Sequence, residues 1–305
     1  MSISLEFVKK IEEIKPVFAK EVRKAYESQT ELFEELANPM LEWAKSSLGA
    51  DYQKTLIDGY CYFVVDVNRS QARYEITGKY EFSSYDEVYK ETYDSPEFMS
   101  LYHWGVYTTT FAWLHHLELY QFYRDNFLNA FFTPEQKGRL VDLGSGSGIW
   151  HFIFLRHLKG WLSTAIDISE TSVEAASAMS KIAAKDESTE YVVGDAMAYN
   201  EGEQFDAGVS CFLLEHLETP DQLLKNMSNN LKDGAYAFIT GALTAAEVDH
   251  IFEFKRESEI ILLAENAGFR VIKTYSSAPS GVSKSKKYLP RSMALILQKR
   301  QNEIW

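Results

Sequence analysis

The sequence has few of the features that mark secreted, membrane-spanning or disulfide-linked proteins. It holds two cysteines in 305 residues, Cys61 and Cys211, far apart and in no metal-binding spacing. We therefore expect neither a disulfide framework nor a zinc site. No apolar run approaches the roughly 20 residues of a membrane span, and residues 1–15 mix Glu with Lys instead of forming a secretory apolar region. These absences predict a cytoplasmic protein without a membrane partner.

Positive charge is also in short supply. The chain carries 31 Lys and Arg against 44 Asp and Glu, a formal net charge of −13 at pH 7. The deficit is spread over both parts of the chain, with 13 basic against 21 acidic side chains in residues 1–134 and 18 against 23 in the rest. Because surfaces that bind nucleic acid collect basic side chains, we expect no nucleic-acid partner.

Glycine is scarce in the first part of the chain. Only four of the sixteen glycines precede Pro134. Apolar residues recur there at helical spacing from Leu5 to Tyr26, and Pro16 predicts a joint between two helices. Asn38-Pro39 predicts a second joint. The first part of the chain is therefore expected to be mainly helical.

Aromatic residues are concentrated in this same part. Residues 52–132 hold 22 of the chain's 43 aromatic residues. The run Tyr60–Val65 fits either a strand or a buried helical turn, whereas Ser95-Pro96-Glu97 predicts the start of one or two helices that reach Phe132. Most of these rings are expected in a core, but a helical cap could use some of them to close over a pocket.

Beyond Pro134, strand patterns alternate with helical ones. Strands are predicted at residues 139–143, 161–168, 191–193, 205–211, 235–240, 269–275 and 293–298, with a helix after each of the first, second, fourth and fifth strands. Thr133-Pro134 predicts a helix start at the joint, and the capping pattern Thr171-x-x-Glu174 predicts another. Strands separated by helices form a doubly wound parallel sheet. The last two strands are joined by a loop alone, so the last strand should be antiparallel.

The predicted fold class is therefore α/β: a seven-stranded, doubly wound Rossmann-like sheet with a mainly helical N-terminal cap. We place the cap domain at residues 1–134 and the sheet domain at residues 135–305.

The first strand runs into a glycine-rich loop. Residues 140–148 read Leu-Val-Asp-Leu-Gly-Ser-Gly-Ser-Gly, an apolar run followed by glycines at alternate positions. A strand of this kind turns tightly into a helix and leaves room for a ligand. A dinucleotide fingerprint would need glycine at position 149, where Ile149 stands, so the spacing argues against an NAD-type site.

Three further strand ends carry polar residues, at the sheet edge where such folds bind ligands. Asp167 ends the second strand, nineteen residues past Gly148. The third is followed by Asp195-Ala-Met197. The fourth begins with Phe205-Asp206 and is followed by Glu215-His216-Leu217.

In order and spacing, these four segments resemble the motifs of the class I S-adenosylmethionine-dependent methyltransferases of small-molecule type. The resemblance covers about residues 139–300 and implies S-adenosylmethionine as the cofactor. It implies that the glycine loop lies against the methionine part, that Asp167 accepts the ribose hydroxyls and that the turn at Asp195 holds the adenine. The cofactor residues that it implies are Asp142, Gly144, Ser145, Gly146, Gly148, Asp167, Ile168, Asp195, Ala196, Met197, Cys211 and Phe212. Taken singly, Asp167 and Asp195 could instead be helix caps or turn formers.

Methyl transfer from a sulfonium is an in-line displacement, so the protein must mainly align the reactants and exclude water. A general base is needed only if the acceptor is protonated. The candidate bases are His103, Tyr107, His115, His116, Glu215 and His216, of which we select His103, Tyr107 and His216 as catalytic. His103 and Tyr107 share a helix face, although a solvated or core histidine is the alternative. Adjacent residues such as His115 and His116 point apart on a helix, so we expect no metal ligands.

The sequence thus predicts an enzyme that methylates a small aromatic or apolar metabolite. We place the acceptor between the sheet edge and the helix with Tyr102, His103 and Tyr107, and consider a homodimer through the N-terminal helices. Two alternatives remain open: a protein- or RNA-modifying methyltransferase, and a cofactor-binding interaction module without activity.

Overall fold

Helices precede the sheet in the computed structural model, which describes residues 1–90, 96–181 and 188–301. They are α1 (Ile3–Ile14), α2 (Pro16–Ser28), α3 (Thr30–Leu48), α4 (Tyr52–Thr77), α5 (Tyr85–Val88), α6 (Pro96–Ala112), α7 (Leu114–Tyr123) and α8 (Asn129–Phe131). A 3₁₀ turn, Gly49–Asp51, precedes α4, and a π-helical segment, Arg124–Leu128, continues α7. The expected helical N-terminal part is confirmed. Ser95, the predicted cap of α6, lies outside the described residues.

Of the two joints between helices that were predicted at prolines, the structure has one. Pro16 begins α2 as predicted. The joint predicted at Pro39 is wrong, because Pro39 lies inside α3. The neighbouring Leu36, Met40 and Leu41 are buried, and their packing outweighs the one helical hydrogen bond that a proline removes.

The undecided run Tyr60–Val65 is helical and belongs to α4. Two glycines let α4 lie close against α6. A Cβ atom added to Gly59 would stand 2.9 Å from the backbone nitrogen of Gly105, and one added to Gly105 would stand 2.7 Å from the carbonyl oxygen of Gly59. A side chain at Gly59 or Gly105 would therefore push the two helices apart, which explains why glycine stands inside a helix at both positions.

The sheet has seven strands in the order β3-β2-β1-β4-β5-β7-β6. They are β1 (Arg139–Leu143), β2 (Leu162–Asp167), β3 (Thr189–Val193), β4 (Phe205–Ser210), β5 (Leu231–Leu243), β6 (Phe269–Ser277) and β7 (Arg291–Lys299). Strands β1 to β5 pair in parallel, and β7 is antiparallel to both of its neighbours. The connecting helices are α9 (Ile149–His157), α10 (Glu170–Met179), α11 (Pro220–Asn230) and α12 (Glu257–Asn266). The predicted fold class, including the antiparallel last strand, is confirmed.

Three local predictions are corrected. The helix start at Thr133-Pro134 is wrong, because these residues lie in an irregular turn that leads into β1. Helix α10 is capped by Ser169, whose hydroxyl accepts from the Ser172 N–H at 3.2 Å, and not by Thr171. Strand β5 begins four residues earlier than predicted, and Gly234 at φ 78° lies in the irregular register between β4 and β5.

The helices and the sheet share one apolar core. Phe238 of β5 is fully buried, and its ring centroid lies 4.5 Å from that of Tyr123, 5.6 Å from Phe127 and 5.9 Å from Trp150. Helix α7 and the π-helical segment therefore pack directly on the sheet. The division into domains at residue 134 stays a prediction.

One edge of the sheet is irregular. The outer strand β6 pairs only with β7 within the described chain, and the register shifts between Val271 and Lys273. Arg270 and Lys273 place cationic side chains on this strand, and both residues are exposed. Among the described residues, the helices are too short or too polar to cross a membrane.

Candidate active site

A cavity of about 1440 Å³ opens at the carboxyl ends of the parallel strands. One wall comes from the residues that follow β1 to β5, and the opposite wall comes from α4, α6 and the start of α7. Small-molecule sites usually have volumes of about 300–1,000 Å³. This cavity therefore has room for a cofactor and a second molecule side by side.

The glycine-rich loop forms the floor of one half of the cavity. Gly144, Gly146 and Gly148 have φ values of 75°, 50° and 77°, in the left-handed region that favours glycine. A Cβ atom at Gly144 would overlap the side chain of Leu213, whereas one at Gly146 would meet no atom within 4 Å. Since Gly146 lines the cavity, its bare backbone faces the space that a ligand would fill.

Asp167 is held against this loop. Its Oδ2 accepts from the Gly146 N–H at 2.8 Å, and its Oδ1 accepts from the Ser169 N–H at 2.9 Å. Burial raises the pKa of Asp167, and the hydrogen bonds from Ser169 and Gly146 lower it. Each carboxylate oxygen accepts one bond from the loop, so each keeps a lone pair for a ligand hydroxyl.

Apolar side chains flank Asp167 on the cavity wall. Ile168 is 54% exposed and Val193 is 53% exposed, although both line the cavity. Beside them, the Asp195 Oδ1 accepts from the Met197 N–H at 2.8 Å and shapes the turn after β3. The strand ends thus offer two apolar contacts next to two carboxylates, which suits a flat ring joined to a ribose.

Ten of the twelve predicted cofactor residues line the cavity. They are Gly144, Ser145, Gly146, Asp167, Ile168, Asp195, Ala196, Met197, Cys211 and Phe212. Gly148 is not among the lining residues and instead precedes α9 as its N-cap residue. Phe212 has an unusual φ of 54°, and its N–H donates to the Thr240 hydroxyl at 2.9 Å.

Asp142 also lies away from the cavity. It is 2% exposed, and its carboxylate lies 3.0 Å from the Nδ1 of His151 in α9. The Nε2 of His151 lies 3.2 Å from the hydroxyl of Tyr191 in β3. Asp142 and His151 therefore connect β1, α9 and β3 below the loop. The sequence prediction missed His151 because no local sequence pattern shows that a side chain of a strand will contact one of the following helix.

The predicted catalytic pair of α6 does not reach the cavity. The buried Tyr107 hydroxyl donates to the Met40 carbonyl at 2.7 Å, and burial raises its pKa. The His103 Nε2 is buried without a partner, and burial lowers the pKa of His103 to about 4. Of the three residues predicted beside the acceptor on this helix, only Tyr102 lines the cavity. Because neither His103 nor Tyr107 reaches the cavity, we leave both out of the proposed chemistry.

His115 and His116 both line the cavity, in the first turn of α7. Their ring centroids lie 4.4 Å apart, so the expectation that adjacent side chains point apart is wrong here. The His116 ring also lies 5.1 Å from that of Phe212. Burial lowers the pKa of His116 to about 4, and it lowers that of His115 as well. Both rings are neutral at pH 7 and act as parts of an aromatic wall.

A second polar group lies at the ends of β4 and β5. His216 lines the cavity, and its Nδ1 lies 3.2 Å from the Asp249 carbonyl oxygen. Glu215, Glu247, Asp249 and His250 line the same region. The sequence prediction missed the last three, although polar residues at a strand end were the signal used for the other strands.

A comparison with protein families identifies the class of the chain. The model of a family described as a methyltransferase domain matches residues 113–274, which is more than half of the chain. The chain belongs to this methyltransferase family. The recognition of a class I methyltransferase, with S-adenosylmethionine as its cofactor, is confirmed.

Several solved structures are similar in fold. Phosphoethanolamine N-methyltransferase 2 of Haemonchus contortus, in complex with S-adenosyl-L-methionine, is 17% identical with a TM-score of 0.46, over 58% of this chain and 52% of that one. A SAM-dependent methyltransferase from Aquifex aeolicus is 17% identical with a TM-score of 0.42, over 53% and 81%. The YcgJ protein of Bacillus subtilis is 12% identical with a TM-score of 0.45, over 54% and 93%. No curated protein matches the chain.

Proposed function

We propose that the chain transfers a methyl group from S-adenosylmethionine to a small molecule bound in the same cavity. The observation that carries this proposal is the continuity of the cavity from the glycine-rich loop to the aromatic residues of α4 and α6. A site that is roofed by helices suits a small acceptor better than a macromolecule, which needs an open face.

The residues of the first half fit the cofactor. The backbone at Gly144 and Gly146 would lie against its methionine part, Asp167 would accept from the ribose hydroxyls, and the adenine would lie between Ile168 and the turn at Asp195. The bound cofactor supplies an electrophilic methyl group. The chain would hold that group facing the second half of the cavity and would exclude water from it.

The second half suits an aromatic or largely apolar acceptor. Rings and aliphatic side chains from both walls line it, namely Tyr60, Phe63, Tyr102, Val106, Trp113, His116 and Phe212. Flat apolar walls with a few polar tips orient a ring and leave its polar substituent pointing at the methyl group. His216 is the one of the three predicted catalytic residues that lines the cavity, and we keep it in the proposed chemistry.

Replacing Asp167 by Ala should weaken the binding of S-adenosylmethionine by about one to two decades. The change removes charge-assisted hydrogen bonds worth about 1.5–3 kcal/mol. Isothermal titration calorimetry on the full chain measures the effect. Glu174→Gln is the matched control, since Glu174 lies on the neighbouring helix α10 outside the cavity, and it should keep the affinity of the unchanged chain. Equal affinity in both variants would show that Asp167 does not bind the ribose.

The acceptor class is tested with methyl-labelled S-adenosylmethionine. The full chain is incubated with separate small-molecule, protein and RNA fractions of a cell extract, and the label is followed by mass spectrometry. We expect label in the small-molecule fraction alone. Label in protein or RNA would contradict the proposed acceptor, and no label in any fraction, with cofactor binding intact, would support a binding module without activity.

A further inference from the structure

Two groups of ligand-type residues meet beside the acceptor half of the cavity and share His250. One consists of Glu215, His216 and His250, and the other of Glu247, Asp249 and His250. Within each group, one nitrogen or oxygen atom per residue lies within 4.8 Å of the others. At the usual bond lengths of about 2.0–2.2 Å, any two ligand atoms of a tetrahedral zinc ion stand about 3.3–3.6 Å apart. Small side-chain shifts would therefore bring either group to bonding distance.

The orientation of His250 leaves one ring nitrogen available to a cation. Its Nδ1 lies 2.7 Å from the carbonyl oxygen of Ala245. A carbonyl can only accept, so Nδ1 carries the proton and Nε2 has the lone pair. That Nε2 lies 3.6 Å from the Glu247 carboxylate. The lone pair of Nε2 therefore faces an acidic side chain.

Glu215 gives an independent indication of a missing partner. It is 1% exposed, lines the cavity, and neither oxygen of its carboxylate has a hydrogen-bond partner. A buried carboxylate is costly unless it is paired or bound to a metal. Glu247 and Asp249 of the second group share His250 with this one, so three carboxylates lie close together here.

The backbone around these residues is firmly held. The carbonyl oxygen of Glu215 accepts from the N–H groups of Ile251 and Phe252 at 2.8 and 2.9 Å. The Tyr80 hydroxyl donates to the Ala245 carbonyl at 2.9 Å, so this one carbonyl fixes both the loop and the tautomer of His250. Because the Nδ1 of His250 is held in this way, the lone pair of its Nε2 is already oriented for a cation.

We propose that Glu215, His216 and His250 bind one divalent transition-metal cation at the acceptor half of the cavity. Two imidazoles and one carboxylate are a donor set typical of zinc, iron or manganese, and three protein ligands leave a coordination position open. The site departs from our expectation of no metal, which considered only the two cysteines and the pair His115 and His116. It forms between two loops that lie more than 30 residues apart in the sequence.

The role of the cation rests on the proposed methyl transfer. An acceptor hydroxyl that takes the open position loses its proton to solvent more readily, because the cation lowers its pKa. The resulting oxygen then forms the new bond to the methyl carbon. The bond from carbon to sulfur breaks, and its electron pair stays on sulfur, which neutralises the sulfonium.

The site is tested by adding zinc chloride or cobalt chloride to the chelator-treated full chain. We expect about one equivalent of zinc after desalting, and for cobalt a visible absorption band that reports nitrogen ligands. Loss of groups that merely support a ligand costs about 10–100-fold in metal affinity, so Glu215→Gln and His250→Ala should each lose about 100-fold or more. Glu174→Gln is the control, since Glu174 lies on α10 outside the cavity.

Each variant is also titrated with S-adenosylmethionine, and retained affinity shows that it is folded. The proposal is overturned if the unchanged chain retains no zinc, or if Glu215→Gln and His250→Ala both bind zinc as the control does. Metal binding is measured here without any need for methyl transfer. A chain that binds zinc but methylates nothing therefore refutes the proposed function and the role of the cation, and leaves the site itself standing.

Discussion

Replacing Gly146 by Val should abolish the binding of S-adenosylmethionine while the protein stays folded. The residue has a φ of 50°, where a β-branched side chain costs about 1–3 kcal/mol. The larger effect is steric, because no protein atom lies within 4 Å of the added Cβ and the side chain would enter the cavity. Valine would thus occupy the place proposed for the methionine part of the cofactor.

Gly202→Val separates backbone strain from ligand overlap. Gly202 has a φ of 75° and equally open space around an added Cβ, but it does not line the cavity. Titration calorimetry should show full affinity for the Gly202 variant and none for the Gly146 variant, with the same circular dichroism spectrum for both. If the Gly146 variant still binds, the loop does not approach the cofactor.

Replacing Phe238 by Ala should lower the free energy of unfolding by about 3–5 kcal/mol, the usual cost of truncating a fully buried phenylalanine. The ring is 0% exposed and contacts aromatic residues of α7, the π-helical segment and α9. The cavity left behind would lie between the helices and the sheet. Urea denaturation followed by circular dichroism and by tryptophan fluorescence measures the loss.

Phe82→Ala is the comparison for this measurement, because Phe82 is only half-buried and should lose much less. The two optical signals should change at the same urea concentration, since the helices and the sheet share the core around Phe238. Separate transitions for the two parts, or an equal loss in both variants, would contradict a shared core.

The sheet could be predicted from the sequence because strands and helices are recognised from local patterns of apolar residues. Strand and helix periods alternate from residue 139 onward, and the loop between the last two strands is too short for a parallel crossover. The carboxyl ends of parallel strands must meet at one edge. The residues that end β1 to β4 could therefore be placed together without any knowledge of packing, and ten of the twelve cofactor candidates line the cavity.

The rest depended on contacts between distant residues. Helical periodicity puts His103 and Tyr107 on one face, but it does not say that Tyr107 is bonded to Met40 of α3. The family resemblance implied a ligand contact for Asp142, whereas the fold supplies His151 as its partner. Pro39 was expected to end a helix because the local rule ignores the buried side chains around it. The residues after β5 were missed because the last of the four segments that match the family motifs ends at Leu217.

The irregular outer strand β6 has a consequence for how the molecule behaves at high concentration. An edge strand exposes unpaired backbone groups, and a flat one would extend its sheet into a neighbouring molecule. The register shift at Val271–Lys273 twists this edge, and the charges of Arg270 and Lys273 repel the same edge of a second copy. We therefore expect this edge to resist the addition of a strand from a second copy of the chain.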